Sequence, residues 1–283
     1  MPYTAEISRT NPSCFLFLID QSGSMQEPFG TSDGAPGGKT KAESLADAIN
    51  RLLQNLVLKC AKSDGIRDYY HVGVIGYGGT GVGPAFGGAL KDKEMVPVNE
   101  IANNPTRVEQ RVKKIDDGAG GLVEQKIKFP VWFDAKGEGG TPMCTAFITA
   151  TKLLTKWLAE HPNCFPPIVI NISDGESSDM DPYEAAKELM KLSSTDGEVL
   201  LFNLHLSSSS EKAIEYPHDD ENLPDDFSKL LFSMSSVLPE YMQKMLSGEG
   251  VPVTFATRGF VFNADLVSVI RFLDIGTRPA NLR

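Results

Sequence analysis

Short apolar stretches alternate with amphipathic ones along this chain. Residues 14–20 (CFLFLID) are bulky and apolar up to the closing aspartate, as in a strand buried on both faces. Residues 71–77 (HVGVIGY), 167–174 (PIVINISD) and 199–206 (VLLFNLHL) have the same character, and 255–263 is a weaker last strand. Between them the period changes. Leu45, Ala48, Ile49, Leu52, Leu53, Leu56, Val57 and Cys60 recur at steps of three and four, which places them on one helical face. Thr40 and Glu43 have the spacing of a capping box at its start. Thr141 suits the N-cap and Pro142 the first position of a second helix, whose Ile148, Leu153, Leu154, Trp157 and Leu158 would face the core. Asp181-Pro182-Tyr183-Glu184 opens a third helix. Residues 226–246 predict a long helix broken at Pro239, and 264–275 a closing one.

Two stretches depart from this rhythm. Residues 26–39 and 78–121 are Gly-rich insertions, the second with a short polar helix predicted over 104–114. Residues 124–133 (EQKIKFPVWF) alternate imperfectly, and Pro130 demotes them to an edge strand. The strand-helix alternation predicts βαβ units: an α/β fold with a mainly parallel sheet and helices on both faces. No internal repeat or linker divides the chain, so a single domain over 1–283 is expected.

Composition narrows the function. Of 283 residues, 27 are Lys or Arg and 37 are Asp or Glu, a net charge of −10. That argues against non-specific binding to nucleic acid or an anionic membrane, and permits a divalent cation or a basic protein partner. The longest apolar run, 14–19, is too short to span a membrane or form a signal-peptide core, and little positive charge precedes it. Cys14, Cys60, Cys144 and Cys164 include no CxxC pair and read as reduced core thiols rather than a zinc site. A cytoplasmic location is expected from both. His71, His161, His205 and His218 show no paired spacing and read as packing or surface residues.

In an open parallel sheet, ligands bind beyond the carboxyl ends of the strands. There the chain delivers Asp20-Gln21-Ser22-Gly23-Ser24, Gly139-Gly140-Thr141 and Ser173-Asp174-Gly175-Glu176. The donors are all oxygen, which suits Mg²⁺, with Mn²⁺ or Ca²⁺ possible. Few direct carboxylates would leave such a metal electron-poor and receptive to an incoming carboxylate.

The pattern Asp20-x-Ser22-x-Ser24, then Thr141, then Asp174-Gly175 resembles the metal-ion-dependent adhesion site of von Willebrand factor A domains, and the order of elements is similar over about residues 12–275. The nearest likeness is the bacterial intracellular branch typified by tellurite-resistance-associated TerY-like proteins. The resemblance implies a Rossmann-like six-stranded sheet with one antiparallel edge strand, the Pro130 segment. It implies that Ser22, Ser24 and Thr141 hold Mg²⁺ through hydroxyls, with Asp20 and Asp174 acting directly or through water. A Glu or Asp of a protein partner would complete the coordination. The implied role is a non-enzymatic, regulatory one in a stress, signalling or defence complex.

Two enzymatic readings compete. Residues 33–40 (DGAPGGKT) nearly spell a P-loop, but Asp33 stands where the pattern needs glycine, and the loop starts well past its strand. A phosphatase using Asp20 as nucleophile would want a second acid where Ser22 stands. A scaffold with a purely structural metal is the third alternative.

Overall fold

The computed structural model describes residues 3–29, 38–116, 122–206, 212–264, 268 and 271–272. The chain opens with β1 (Ser13–Gln21), α1 (Lys41–Cys60) and β2 (Tyr70–Gly78). Short strands β3 (Gly81–Pro84) and β4 (Val96–Pro97), then α2 (Val98–Asn103), lead to a hairpin of β5 (Arg107–Asp116) and β6 (Leu122–Val131). There follow α3 (Met143–Glu160), β7 (Ile168–Ser173), α4 (Tyr183–Lys191), β8 (Leu200–Leu206) and β9 (Ile214–Glu215). The described elements end with α5 (Asp226–Ser233), α6 (Glu240–Gly248) and β10 (Phe260–Ala264).

The central sheet runs β9-β10-β8-β7-β1-β2-β3, with β4 paired to β2. Strands β10, β8, β7, β1 and β2 are mutually parallel, and β3, β4 and β9 pair antiparallel at the margins. The architecture is therefore α/β with a mainly parallel sheet, as the alternation of elements predicts. The five parallel strands and β3 make six. The two-residue strands β4 and β9 bring the described sheet to eight.

Strand β1 is buried along its whole length. Phe15, Phe17 and Ile19 join one core with Leu45, Ile49, Leu53 and Leu56 of α1 and Met242 of α6. Cys14, Leu16 and Leu18 join the other, with Phe147, Leu154 and Trp157 of α3, Leu189 of α4 and Leu231 of α5. The period of two along the strand thus feeds two helical layers. From β1 the chain crosses by α1 to β2 on one side. It later returns by α3 to β7 on the other, so strand order reverses at β1.

Several expectations are corrected. Residues 104–114 are not a helix: Arg107–Asp116 is a strand, paired residue by residue with Leu122–Val131. The Pro130 segment consequently does not edge the central sheet. It belongs to a separate two-stranded ribbon, and β3 is the antiparallel edge strand beside β2. A ribbon strand has a free edge, which tolerates a proline. The ribbon is fixed to α1 where Asn50 Oδ1 accepts the N–H groups of Trp132 (2.8 Å) and Phe133 (3.1 Å).

Pro142, not Thr141, is the residue preceding α3, and Ile148 faces outward at 37% exposure. Residues 226–246 form two helices separated by a break before Pro239. The last strand starts at Phe260 rather than 255. Most of the closing helix expected over 264–275 lies outside the described residues, as do residues 30–37 of the first insertion. The four cysteines are buried and free. Among the described residues no helix is long and apolar enough to cross a membrane.

Candidate metal centre

The ends of β1 and β7 bring the predicted residues together. Asp20 lies on β1, and its Oδ1 accepts the Ser22 N–H at 2.8 Å. Its Oδ2 accepts the Ser173 hydroxyl at 2.7 Å, from the last residue of the neighbouring strand. The 3₁₀ turn Gly23–Gln26 then bends the chain over the sheet end. Ser22 Oγ and Ser24 Oγ sit 3.0 Å apart, and Ser24 donates to Asp174 Oδ1 at 2.7 Å. The residues spaced as Asp-x-Ser-x-Ser thus form one hydrogen-bonded chain ending on Asp174.

Thr141 arrives on the loop before α3. Gly139 adopts φ +69°, and a Cβ there would lie 2.3 Å from Gly79 Cα. Only glycine fits that crossing. The Gly139 carbonyl accepts the Gly23 N–H at 3.0 Å, tying this loop to the β1 turn. Thr141 is buried, its N–H donates to Ser178 Oγ at 2.7 Å, and its hydroxyl oxygen lies 3.9 Å from where a Cβ on Gly175 would stand. Thr141 does not cap α3. Asp179 takes the first-turn N–H groups of Cys144 (3.2 Å) and Thr145 (2.9 Å) from across the loop. Burial opposes its charge, but hydrogen bonds from Ser177 and Thr145 hold its pKa at about 2.

Sequence reasoning named Ser173 among the strand-end oxygens without a role and missed Lys41 and Glu27. Ser173 orients Asp20. Lys41 Nζ pairs with Asp174 Oδ2 at 2.8 Å and with Glu27 Oε2 at 2.7 Å. Residues 27–29 and 39–41, at the two ends of the first insertion, meet in a short ladder, where Phe29 N–H donates to the Lys39 carbonyl (2.9 Å) and Lys41 N–H to the Glu27 carbonyl (3.0 Å). That ladder brings Glu27 and Lys41 to the site.

Burial pushes the Asp20 carboxyl above the usual carboxylate range. Hydrogen bonds from Ser22 and Ser173 pull it back, and the charge of Asp174 adds to the rise. Burial pulls the Lys41 ammonium down, but its hydrogen bonds to Asp174 and Glu27 outweigh this and raise its pKa overall.

The donor set fits a hard divalent cation. Adjacent oxygens around octahedral Mg²⁺ are about 3.0 Å apart, given metal–oxygen distances of about 2.1 Å. The Ser22–Ser24 oxygen separation is 3.0 Å. Among the described residues no cluster of three or more His, Cys, Asp or Glu is arranged to hold a metal. The candidate set, two carboxylates and three hydroxyls, is not of that kind. A cleft of about 340 Å³ lined by Glu176, Ser178, Asp179, Met180, Asp226 and Phe227 adjoins the Thr141 side.

The P-loop-like segment lies partly outside the described residues. Its described end is engaged otherwise: Lys39 pairs with Asp47, and Thr40 with Glu43 forms the capping box of α1. No family model matches the chain, and no curated protein matches it.

Proposed function

We propose that this chain is a von Willebrand factor A domain protein with a metal-ion-dependent adhesion site. Asp20, Ser22, Ser24, Thr141 and Asp174 hold Mg²⁺, with Mn²⁺ or Ca²⁺ as substitutes. The bound cation supplies an electrophilic position that a Glu or Asp of a protein partner occupies. Asp20 is oriented by Ser173 and the Ser22 amide, and the Ser22 and Ser24 hydroxyls are set at ligand spacing. The chain performs no bond chemistry. It works as a single-domain regulatory or adaptor module in a cytoplasmic bacterial complex serving stress, signalling or defence.

One observation carries the reading: hydrogen bonds of 2.7–3.0 Å link Asp20, through the Ser22 N–H, and the Ser22 and Ser24 hydroxyls to the Asp174 carboxylate at the point where strand order reverses. The net charge of −10 supports a cation-mediated partner over nucleic acid or an anionic membrane. Calorimetric titration with Mg²⁺ and Mn²⁺, with and without excess acetate as a stand-in for the partner carboxylate, tests it. Wild type is expected to bind metal, more tightly with acetate. Asp20→Ala is expected to bind none while melting at a similar temperature. Equal binding by both proteins, or none by wild type even with acetate, rejects the proposal.

A further inference from the structure

Lys41 stands where helix physics would not put it. It is the first residue of α1, and a positive charge there opposes the helix dipole, which favours acids in the first turn. Its side chain is only 6% exposed, and an ammonium taken out of water is costly unless paired. Capping does not account for it, because Thr40 and Glu43 already close the helix start. What accounts for it is Asp174, whose side chain is fully buried. The two Asp174 oxygens are divided: Oδ1 takes the Ser24 hydroxyl and Oδ2 takes Lys41.

We propose that Lys41 is the built-in counter-cation of Asp174 and sets the preference of the site for an incoming carboxylate. Lys41 holds Oδ2, so Asp174 cannot turn both oxygens onto a cation. Its ammonium also offsets the Asp174 charge, leaving Asp20 as the one uncompensated carboxylate in the donor set. A divalent ion held there keeps excess positive charge for an outside carboxylate to meet. Glu27 moderates the effect by sharing Lys41 from a side chain that is 58% exposed. The inference rests on the metal-site reading above.

Two titrations on the full chain test it: Mg²⁺ alone, then acetate into Mg²⁺-saturated protein. Lys41→Met is expected to bind Mg²⁺ about tenfold more tightly and acetate about tenfold more weakly, because one positive charge is gone and Asp174 is released. Lys41→Arg, which keeps the charge, should stay near wild type in both. A purely structural lysine would not move the two affinities in opposite directions. Should Lys41→Met fail to fold, Glu27→Gln is read instead; it leaves Lys41 to Asp174 alone and should weaken Mg²⁺ while strengthening acetate. Affinities that do not move, or that move together, in a variant with a normal melting curve overturn the inference while leaving the metal site standing. A wild type that binds no metal even with acetate overturns the site and the inference together.

Discussion

At the amino end of the central sheet, Trp157 donates its indole N–H to His71 Nδ1 at 3.0 Å and stacks on His161 with ring centroids 4.3 Å apart. At the carboxyl end of the same strands, Asp174 and Glu27 share the Lys41 ammonium, while the buried Asp20 carboxyl meets only the Ser22 N–H and the Ser173 hydroxyl among the described residues. Strand β1 connects the two, running from Cys14 beside His71 to Asp20 beside Tyr77. At the amino end the Trp157, His71 and His161 side chains meet one another. Among the described residues, the buried carboxyls Asp20 and Asp174 at the carboxyl end have one buried cation, Lys41, which pairs with Asp174, an arrangement folding alone disfavours. The difference separates a contact closed among neutral side chains from the carboxylates and hydroxyls proposed to take a cation.

That division is broken most forcefully at the amino end. Trp157→Ala removes a buried ring and the stack on His161, and should cost about 3–5 kcal/mol of stability. If the two ends are independent, Mg²⁺ affinity of the folded protein changes by less than about twofold. Urea melts with metal titration below the transition report both. A tenfold loss of metal affinity would mean the ends are mechanically joined.

Histidine chemistry gives the next effect. His205 on β8 lies beside Ser173, stacked on Phe262, and burial lowers its pKa to about 4. Unfolded histidine titrates near 6.5. Above pH 6.5 the neutral ring costs nothing. As pH falls from 6.5 towards 4, the unfolded chain takes up a proton that the folded one refuses, and stability drops by about 3 kcal/mol. His205→Gln should flatten that part of the pH–stability profile. A profile as steep as wild type would place the acid sensitivity elsewhere.

Gly139→Ala probes the carboxyl end through the backbone. The left-handed φ and the approach to Gly79 should make it cost about 2–3 kcal/mol. Because the Gly139 carbonyl anchors the Gly23 turn, metal affinity should fall by about tenfold, roughly 1.4 kcal/mol. A destabilised protein with normal affinity would detach this loop from the centre.

Much of this was readable from the chain. The buried strands, the α1 capping box and the convergence of Asp20, Ser22, Ser24 and Asp174 follow from local pattern and the switch-point rule. The hairpin did not. Val108 and Val112 are spaced like a helical stripe, yet they stand 53% and 56% exposed on a ribbon fixed by pairing with β6. Pairing of that kind is a tertiary choice that local periodicity cannot see. Lys41 was hidden for a similar reason. In Thr-Lys-Ala-Glu it looks like a surface lysine, and only the ladder across residues 27–41 carries it to Asp174. The acid cap of α3 came from Asp179, far along the chain, so Thr141 was free of the capping role its local sequence suggested.

The gentlest test concerns how deep the binding end reaches. Under Asp20, a line of buried polar groups crosses the sheet: Tyr77 donates to Asn171 Oδ1 (2.7 Å), Asn171 to Asn203 Oδ1 (3.0 Å), and Asn203 to Ser235 Oγ (3.0 Å). Each donor finds an acceptor inside the chain, so this line is closed like the Trp157–His71 contact although it lies beside the carboxyl end. Tyr77→Phe removes the first link, leaves Asn171 Oδ1 without that donor, and should cost about 1–2 kcal/mol. If the boundary between holding and binding lies just above this line, metal affinity stays within about twofold of wild type. A larger loss would put Tyr77 and both asparagines among the residues that set the position of Asp20, and the binding end would then extend through the full width of the sheet to α5.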